Sequence, residues 1–329
     1  MRAVSFSLAV LSGLLLTASG SCNDGSQMRS PGRIQTLPGL PRPAPLPPPP
    51  PGLPALPARS GELFAIGELT QGGWITGLAP LGARSLTLDG QAVPFEADGR
   101  FFAAFDRDAG AASTLVARLA DGRAVSRVLA ISPRAWQIER IPLGPRPGTA
   151  PDPVFLQRRA GELAQINAAR SVNAQSDGWR QHFIWPARGR ISGRFGSQRI
   201  YPAGPAAYHS GTDIATGASG TPYVAPADGV VVLAASSPFS LEGNLLMIDH
   251  GMGLNSAFLH SSQILVRVGD HVKQGQVIGR IGMTGRATGP HLHWSMKCAA
   301  PSWMPCCLPG RCGSCGHAPF AIVISSSRA

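Results

Sequence analysis

The chain has 329 residues, 43% of them hydrophobic, and a formal net charge of +11. That length leaves room for about two domains with ordinary cores, and the charge first raises nucleic acid as a partner. Only Lys273 and Lys297 are lysines among the 29 basic residues, and the arginines are scattered without basic runs or interleaved aromatics. No nucleic-acid partner is therefore expected; an arginine-rich background composition, or attraction to anionic polymers or lipid headgroups, accounts for the charge.

Residues 1–21 carry one charge, Arg2, then an apolar run from Val4 to Leu16 and small residues up to Ser21, which predicts a signal peptide and an exported chain. Cys22, preceded by small residues, resembles the lipobox of bacterial lipoproteins and predicts a lipid anchor; ordinary cleavage near Ser19 to Ser21 is the other reading. Residues 22–58 are a proline-rich tether, with Pro47 to Pro51 unbroken, favouring polyproline II without a buried core.

Across residues 59–141, short apolar runs alternate with turn signals at Asp89-Gly90, Asp98-Gly99 and Asp121-Gly122. Six or seven strands at that spacing predict a small β-sandwich of immunoglobulin-like architecture, more a positioning or partner-binding module than a second active site. Trp74, Phe101, Phe102 and Phe105 are expected in its core, with sugar stacking the other reading of Trp74. Residues 142–182 form a linker and a helix, in which Leu156, Ala160, Leu163, Ile166 and Ala169 recur at helical intervals and Arg158, Arg159 and Arg170 form the solvated face. The helix either packs before the next domain or covers part of its groove.

Residues 183–297 read as short β-runs with glycine turns, predicting an antiparallel sheet that leaves one face open as a groove. Two segments there carry the chemistry. In an extended strand alternate residues share a face, so His291 and His293 of His-Leu-His reach one small volume. His209 and Asp213 are four apart, and Gly211 followed by Thr212 and Ile214 argues for a bend into a strand. No His-Glu-x-x-His helix is present, and the cysteines are not interleaved with these histidines. Two imidazoles and a carboxylate remain as a three-ligand set, which for zinc leaves a fourth position for water.

The succession Phe183-Ile184-Trp185-Pro186, Gly189 to Gly196, His209-Ser210-Gly211-Thr212-Asp213, Val224 to Val231, Phe258-Leu259-His260, Val268-Gly269-Asp270, Gly275 to Gly279 and Thr288 to Trp294 resembles the lysostaphin-type (LytM) zinc metallopeptidases, family M23, which cut peptidoglycan cross-links. The resemblance implies a mainly β, antiparallel catalytic domain, zinc on His209, Asp213 and His293, and His260 and His291 as the catalytic pair. It implies a zinc-dependent endopeptidase acting on peptidoglycan stem peptides in the periplasm or cell envelope. A non-catalytic wall-binding or hydrolase-activating factor with the same fold is the alternative; none of the five positions is substituted, which favours hydrolysis. Oligomeric state is not indicated.

Other histidines are expected outside the chemistry: His250 and His271 at strand ends, explained by turns, and His317 in the tail. Tyr208 and Asn244 are candidates for substrate contact or ligand support. Residues 298–329 depart from the resemblance and hold five of the six cysteines, Cys298, Cys306, Cys307, Cys312 and Cys315. A frame-shifted or altered C-terminus is expected there, with zinc binding and disulfides as alternatives. A genuine tail is expected to leave the His-Leu-His strand without one neighbour.

Overall fold

The computed structural model describes residues 56–142 and 152–298, apart from 203, 206 and 236, together with the short strand at 320–321. The expected signal peptide, Cys22, the expected tether up to residue 55 and nearly all of the cysteine-rich tail lie outside the described residues. Among those described, no helix is long and apolar enough to cross a membrane.

The first part consists of β1 (Phe64–Glu68), β2 (Trp74–Leu78), β3 (Ala83–Leu88), β4 (Gln91–Ala92), β5 (Arg100–Ala104), β6 (Ala112–Leu119) and β7 (Ala124–Ala130), followed by β8 (Ile138–Arg140). They form two antiparallel sheets, ordered β1-β2-β5 and β4-β3-β6-β7. Period-two patterning places Ala65, Ile75, Leu86, Leu88, Phe101, Leu115 and Leu129 between the sheets in one buried cluster. Asp-Gly turns close the hairpins as the sequence indicates: Asp89 and Gly90 both have positive φ, 50° and 81°, as a type I′ turn needs.

β5 is buried on both sides. Phe101 and Ala103 belong to the sandwich core, whereas Phe102 and Ala104, pointing the other way, join the core of the second part of the chain. Trp74 stacks on Phe102 with ring centroids 5.9 Å apart and packs against that same second core. Phe102 is therefore a core residue, but of a different core from that of Phe101 and Phe105, and Trp74, expected in the sandwich core, is partly buried against that second core.

Helix α1 (Pro153–Arg170) starts at Asp152, whose carboxylate accepts from the Phe155 N–H, with Pro153 fitting the first turn. Its inward stripe is Phe155, Arg159, Glu162, Ile166 and Ala169. Leu156 and Leu163 face outward, 54% and 41% exposed. The expected face is thus shifted by one residue along its first half, because the loop that precedes β15 engages Arg159 in an ion pair with Glu242 and Glu162 in hydrogen bonds from Ser240. Arg159 is not on a solvated face: its guanidinium donates to both Glu242 oxygens, at 2.6 and 2.7 Å, and to Glu162. Arg170 is largely buried as well, and desolvation lowers its pKa.

The remaining strands are β9 (Arg190–Gly193), β10 (Gln198–Tyr201), β11 (Gly204–Pro205), β12 (Thr212–Ala215), β13 (Pro222–Val224), β14 (Gly229–Ala234), β15 (Asn244–Asp249), β16 (Leu254–Ser261), β17 (Gln263–Ile264), β18 (His271–Val272), β19 (Val277–Arg280), β20 (Leu292–Cys298) and β21 (Phe320–Ala321). The principal sheet runs β18-β14-β15-β16-β20-β12-β9, a small sheet β13-β19-β17 packs with it, and β10 joins β8 and β11. Ile214, Tyr223, Leu246, Ile248, Phe258, Ile278, Leu292 and Trp294 fill the core.

Register carries side-chain parity across the principal sheet: Met247, Ala257 and Ser295 lie side by side. They share a face with His293, two residues before Ser295. α1 covers the β14–β15 end of that face through Ile166, Ala169, Leu245 and Met247. The helix thus packs on the sheet itself, on the face that carries His293. The His-Leu-His strand has neighbours on both sides, β12 and β16, so the expected loss of one does not occur; both come from residues 212–261, upstream of the tail.

Candidate metal centre

Strand pairing assembles the site. β12 and β20 pair antiparallel with Asp213 directly opposite His293, so two residues eighty positions apart share one patch. His209 lies in the loop just before β12. Its Nε2 is 3.1 Å from Asp213 Oδ1 and 3.0 Å from His293 Nδ1, and His293 Nδ1 is 2.9 Å from the same carboxylate oxygen. Four tetrahedral ligands at 2.0–2.1 Å from a zinc ion stand about 3.3 Å apart. The triangle of donors is close to that size and fits a small divalent cation. Among the described residues, these three side chains form the cluster of donors suited to a metal.

The His209 tautomer follows from its neighbour. Nδ1 meets the Arg194 carbonyl at 3.0 Å, and a carbonyl only accepts, so Nδ1 carries the proton and Nε2 offers its lone pair to the centre. Burial would raise the pKa of Asp213, but the bonds from both imidazoles outweigh it and hold the carboxyl well below the usual range. In His209 burial, which lowers the pKa, loses to the Asp213 contact and the value rises; in His293 burial prevails and the value falls. Gly193 opposes Asp213 across the sheet, and a Cβ there would come within 2.3 Å of Asp213 Oδ2.

His260 and His291 stand beside the triangle, their rings 4.8 Å apart, with His260 6.3 Å from the His293 ring. Each donates Nδ1–H to a carbonyl, His260 to Thr284 and His291 to Gly289, both at 2.8 Å, which fixes the orientation of both rings. His291 Nε2 is 3.7 Å from Asp213 Oδ1. Burial pushes the pKa of His260 down to about 4, which keeps it neutral and able to accept a proton. Its backbone is left-handed, φ 64°, and its N–H leaves the ladder for the Glu242 carbonyl. A non-glycine residue held there costs of order 1–3 kcal/mol, and the bulge turns its ring toward the centre.

All five predicted site residues therefore come together. The sequence did not reveal the carbonyls that fix their rings, because backbone acceptors leave no residue-type signal. Asn244, a candidate for ligand support, donates Nδ2–H to the Ser261 carbonyl, while its own N–H donates to Thr284 Oγ1. It braces the Thr284 turn that orients His260. Tyr208 faces away, its ring 5.2 Å from the Arg107 guanidinium and edge-on to Phe195. His250 directly follows β15 and precedes the Gly251 turn, at a strand end as expected. It is fully buried, bonded to the Asp228 carbonyl and Ser256 Oγ, and burial lowers its pKa to about 4. His271 is exposed on β18, and His317 lies outside the described residues.

An antiparallel sheet carrying two imidazoles and one carboxylate at metal-binding distance, flanked by two further imidazoles, defines a metallopeptidase type of centre. The chain carries a Peptidase family M23 domain, matched over residues 207–303. Over 117 residues it is 42% identical to the peptidoglycan DD-endopeptidase ShyA of Vibrio cholerae, covering 35% of this chain and 26% of that one. The DD-carboxypeptidase/endopeptidase Mpg of Neisseria meningitidis is 39% identical over 109 residues, 33% of this chain and 24% of the other. A solved structure from Pseudomonas aeruginosa, of a protein assigned to peptidase M23, superposes with a TM-score of 0.52 at 28% identity, covering 69% of this chain and 89% of that one. The chain spans about a quarter of the length of the curated relatives it matches.

Proposed function

We propose that this chain is a zinc-dependent endopeptidase that hydrolyses peptide cross-links of bacterial peptidoglycan, in the cell envelope, with stem peptides as substrate. The carrying observation is the convergence of His209, Asp213 and His293 on one point beside the free Nε2 atoms of His260 and His291. Zinc held by the three would supply a water of lowered pKa and polarise the scissile carbonyl. His260, neutral and with its Nδ1–H committed to Thr284, accepts the proton of the attacking water at Nε2 and later returns it to the leaving amine. His291, its Nδ1–H held by the Gly289 carbonyl, presents Nε2 beside the centre to orient the attacking water. The exposed part of the sheet face takes an extended peptide.

The same proposal assigns residues 59–141 to an immunoglobulin-like positioning module and 183–297 to the peptidase domain, with residues 1–21 a signal peptide and Cys22 a lipid anchor. Purified peptidoglycan incubated with the chain should release soluble muropeptides bearing new amine ends, with stoichiometric zinc in the protein. His291→Ala should keep the zinc and lose the release. A folded chain that binds no zinc and releases nothing would leave only the binding-factor alternative.

A further inference from the structure

We propose that Arg107, contributed by the sandwich part of the chain, is a positioning residue for His209, so that the metal centre is completed by a contact from outside the peptidase domain. The proposal rests on the reading above that His209 holds the metal.

Arg107 follows β5 and is only 6% exposed. Its Nε and Nη2 both donate to the carbonyl of Gly196, at 3.1 and 3.0 Å. The guanidinium lies 5.2 Å from the centroids of both Trp136 and Tyr208 and is paired with the Asp108 carboxylate, so its charge is sheltered on every side. Gly196 sits in the loop that holds His209. Its own N–H donates to the His209 carbonyl at 2.9 Å, the His209 N–H donates to Ser197 at 2.8 Å, and His209 Nδ1 donates to Arg194. Residues 194–197 thus grip His209 by backbone and ring together, and Arg107 grips the loop at its middle carbonyl.

Neighbouring contacts keep that loop against the sandwich. Gly196 has φ 78°, and a Cβ on it would stand 2.2 Å from the Trp136 ring, so the indole lies directly on the loop backbone. The Trp136 N–H donates to Gln71, and Phe195 makes edge contacts with both Trp136 and Tyr208. Beyond it, β8 pairs parallel with β10, Ile138 opposite Gln198. The Arg107 fork is the buried, charged part of this joint, and it is one hydrogen bond removed from the ligand residue. Losing it leaves a buried carbonyl unsatisfied and frees the loop to shift, which moves the His209 ring relative to Asp213 and His293. Partners one layer behind a metal ligand commonly tune affinity by about 10–100-fold.

The test is zinc affinity, measured on the full chain by competition with a chromophoric chelator, for wild type, Arg107→Ala, Arg107→Lys and Leu115→Ala. Leu115 is a fully buried sandwich residue on β6, a strand that pairs with β3 and β7. Arg107→Ala is expected to bind zinc about tenfold more weakly or worse, and Arg107→Lys, which keeps the charge but not the fork, to fall between. Leu115→Ala should lower the melting temperature yet bind zinc as wild type does. A folded Arg107→Ala within about twofold of wild type overturns the proposal, as does equal weakening by Leu115→Ala, which would make the effect one of general stability. If Arg107→Ala does not fold, Arg107→Lys decides by the same criterion. Wild type without measurable zinc binding removes the metal reading itself, a result distinct from failure of the Arg107 role.

Discussion

At the scale of single residues, the centre depends on space as much as on ligands. Gly193→Ala places a methyl within 2.3 Å of Asp213 Oδ2, and the opposing backbone cannot retreat because Asp213 is also paired with His293. The carboxylate must therefore turn away. We expect a folded protein whose zinc affinity, by chelator competition, falls at least about tenfold, with a circular dichroism spectrum like that of wild type. His260→Ala separates the roles: zinc content stays stoichiometric while cleavage drops about 10²–10⁴-fold, the usual weight of a general base. Loss of zinc in that variant would place His260 among the ligands. His209 with Asp213, and His291 with His293, were legible as pairs at turn and strand spacings, whereas His260 and the roles of all five came from the resemblance to the lysostaphin-type metallopeptidases. The strand-end position of His250 was legible too, but its complete burial was not, since buried and exposed strand-end histidines share the same local sequence. Its pKa gives it a signature in stability. Folded His250 titrates near 4 against an ordinary value of 6.5, so the unfolded chain takes up the proton first as pH falls. The stabilisation is complete above pH 6.5 and is lost between 6.5 and 4, a term on the order of 3 kcal/mol. Urea midpoints of His250→Gln should be lower at neutral pH but flatter than wild type across that window; parallel curves would contradict this origin.

At the scale of elements, α1 shows how periodicity identifies a helix but not its inner face. Leu156, Ala160, Leu163, Ile166 and Ala169 mark a helix correctly, yet the buried stripe passes through Arg159 and Glu162, charges whose partners, Glu242 and Ser240, lie about eighty residues away. Long-range pairing leaves no local trace, so the solvated face was misjudged. The consequence reaches the site. Glu162 accepts from the Ser240 N–H and hydroxyl, Arg159 clamps Glu242, and the Glu242 carbonyl receives the His260 N–H. The helix therefore fixes the loop that holds the strained His260 backbone. Arg159→Met leaves the partly buried Glu242 carboxylate without its ion-pair partner, while Glu162 keeps Arg158 and Ser240. We expect a loss of about 2–4 kcal/mol in chemical denaturation and a fall in kcat larger than any change in zinc affinity. Arg159→Met/Glu242→Gln should recover part of the stability, since it no longer buries an unpaired charge. No recovery would assign the loss to packing alone.

At the scale of the whole molecule, the two β parts are joined through a strand buried on both faces. The run Phe101-Phe102-Ala103-Ala104-Phe105 reads as core without saying which core, because period-two patterning assigns faces only where one face is polar. Here Phe101 and Ala103 enter the sandwich while Phe102 and Ala104 enter the peptidase core, where Phe102 also carries the stacked Trp74. Arg180 bonded to Asp98 and Arg107 bonded to Gly196 add polar ties across the same boundary. Joined in this way, the parts should melt together, giving wild type one calorimetric transition in which the calorimetric and van't Hoff enthalpies agree. Phe102→Ala removes the aromatic link at a cost of about 3 kcal/mol but leaves the Phe101 side of the strand intact. The expected result is a lower first transition and a second, separate one; Phe101→Ala, which damages one core without cutting the link, should lower the melting temperature and keep a single peak. A single unchanged transition in Phe102→Ala would mean that the joint rests on the polar ties and the β8–β10 pairing instead. The two variants thus distinguish a tether hung with independent modules from one cooperative unit that presents its metal centre at the seam.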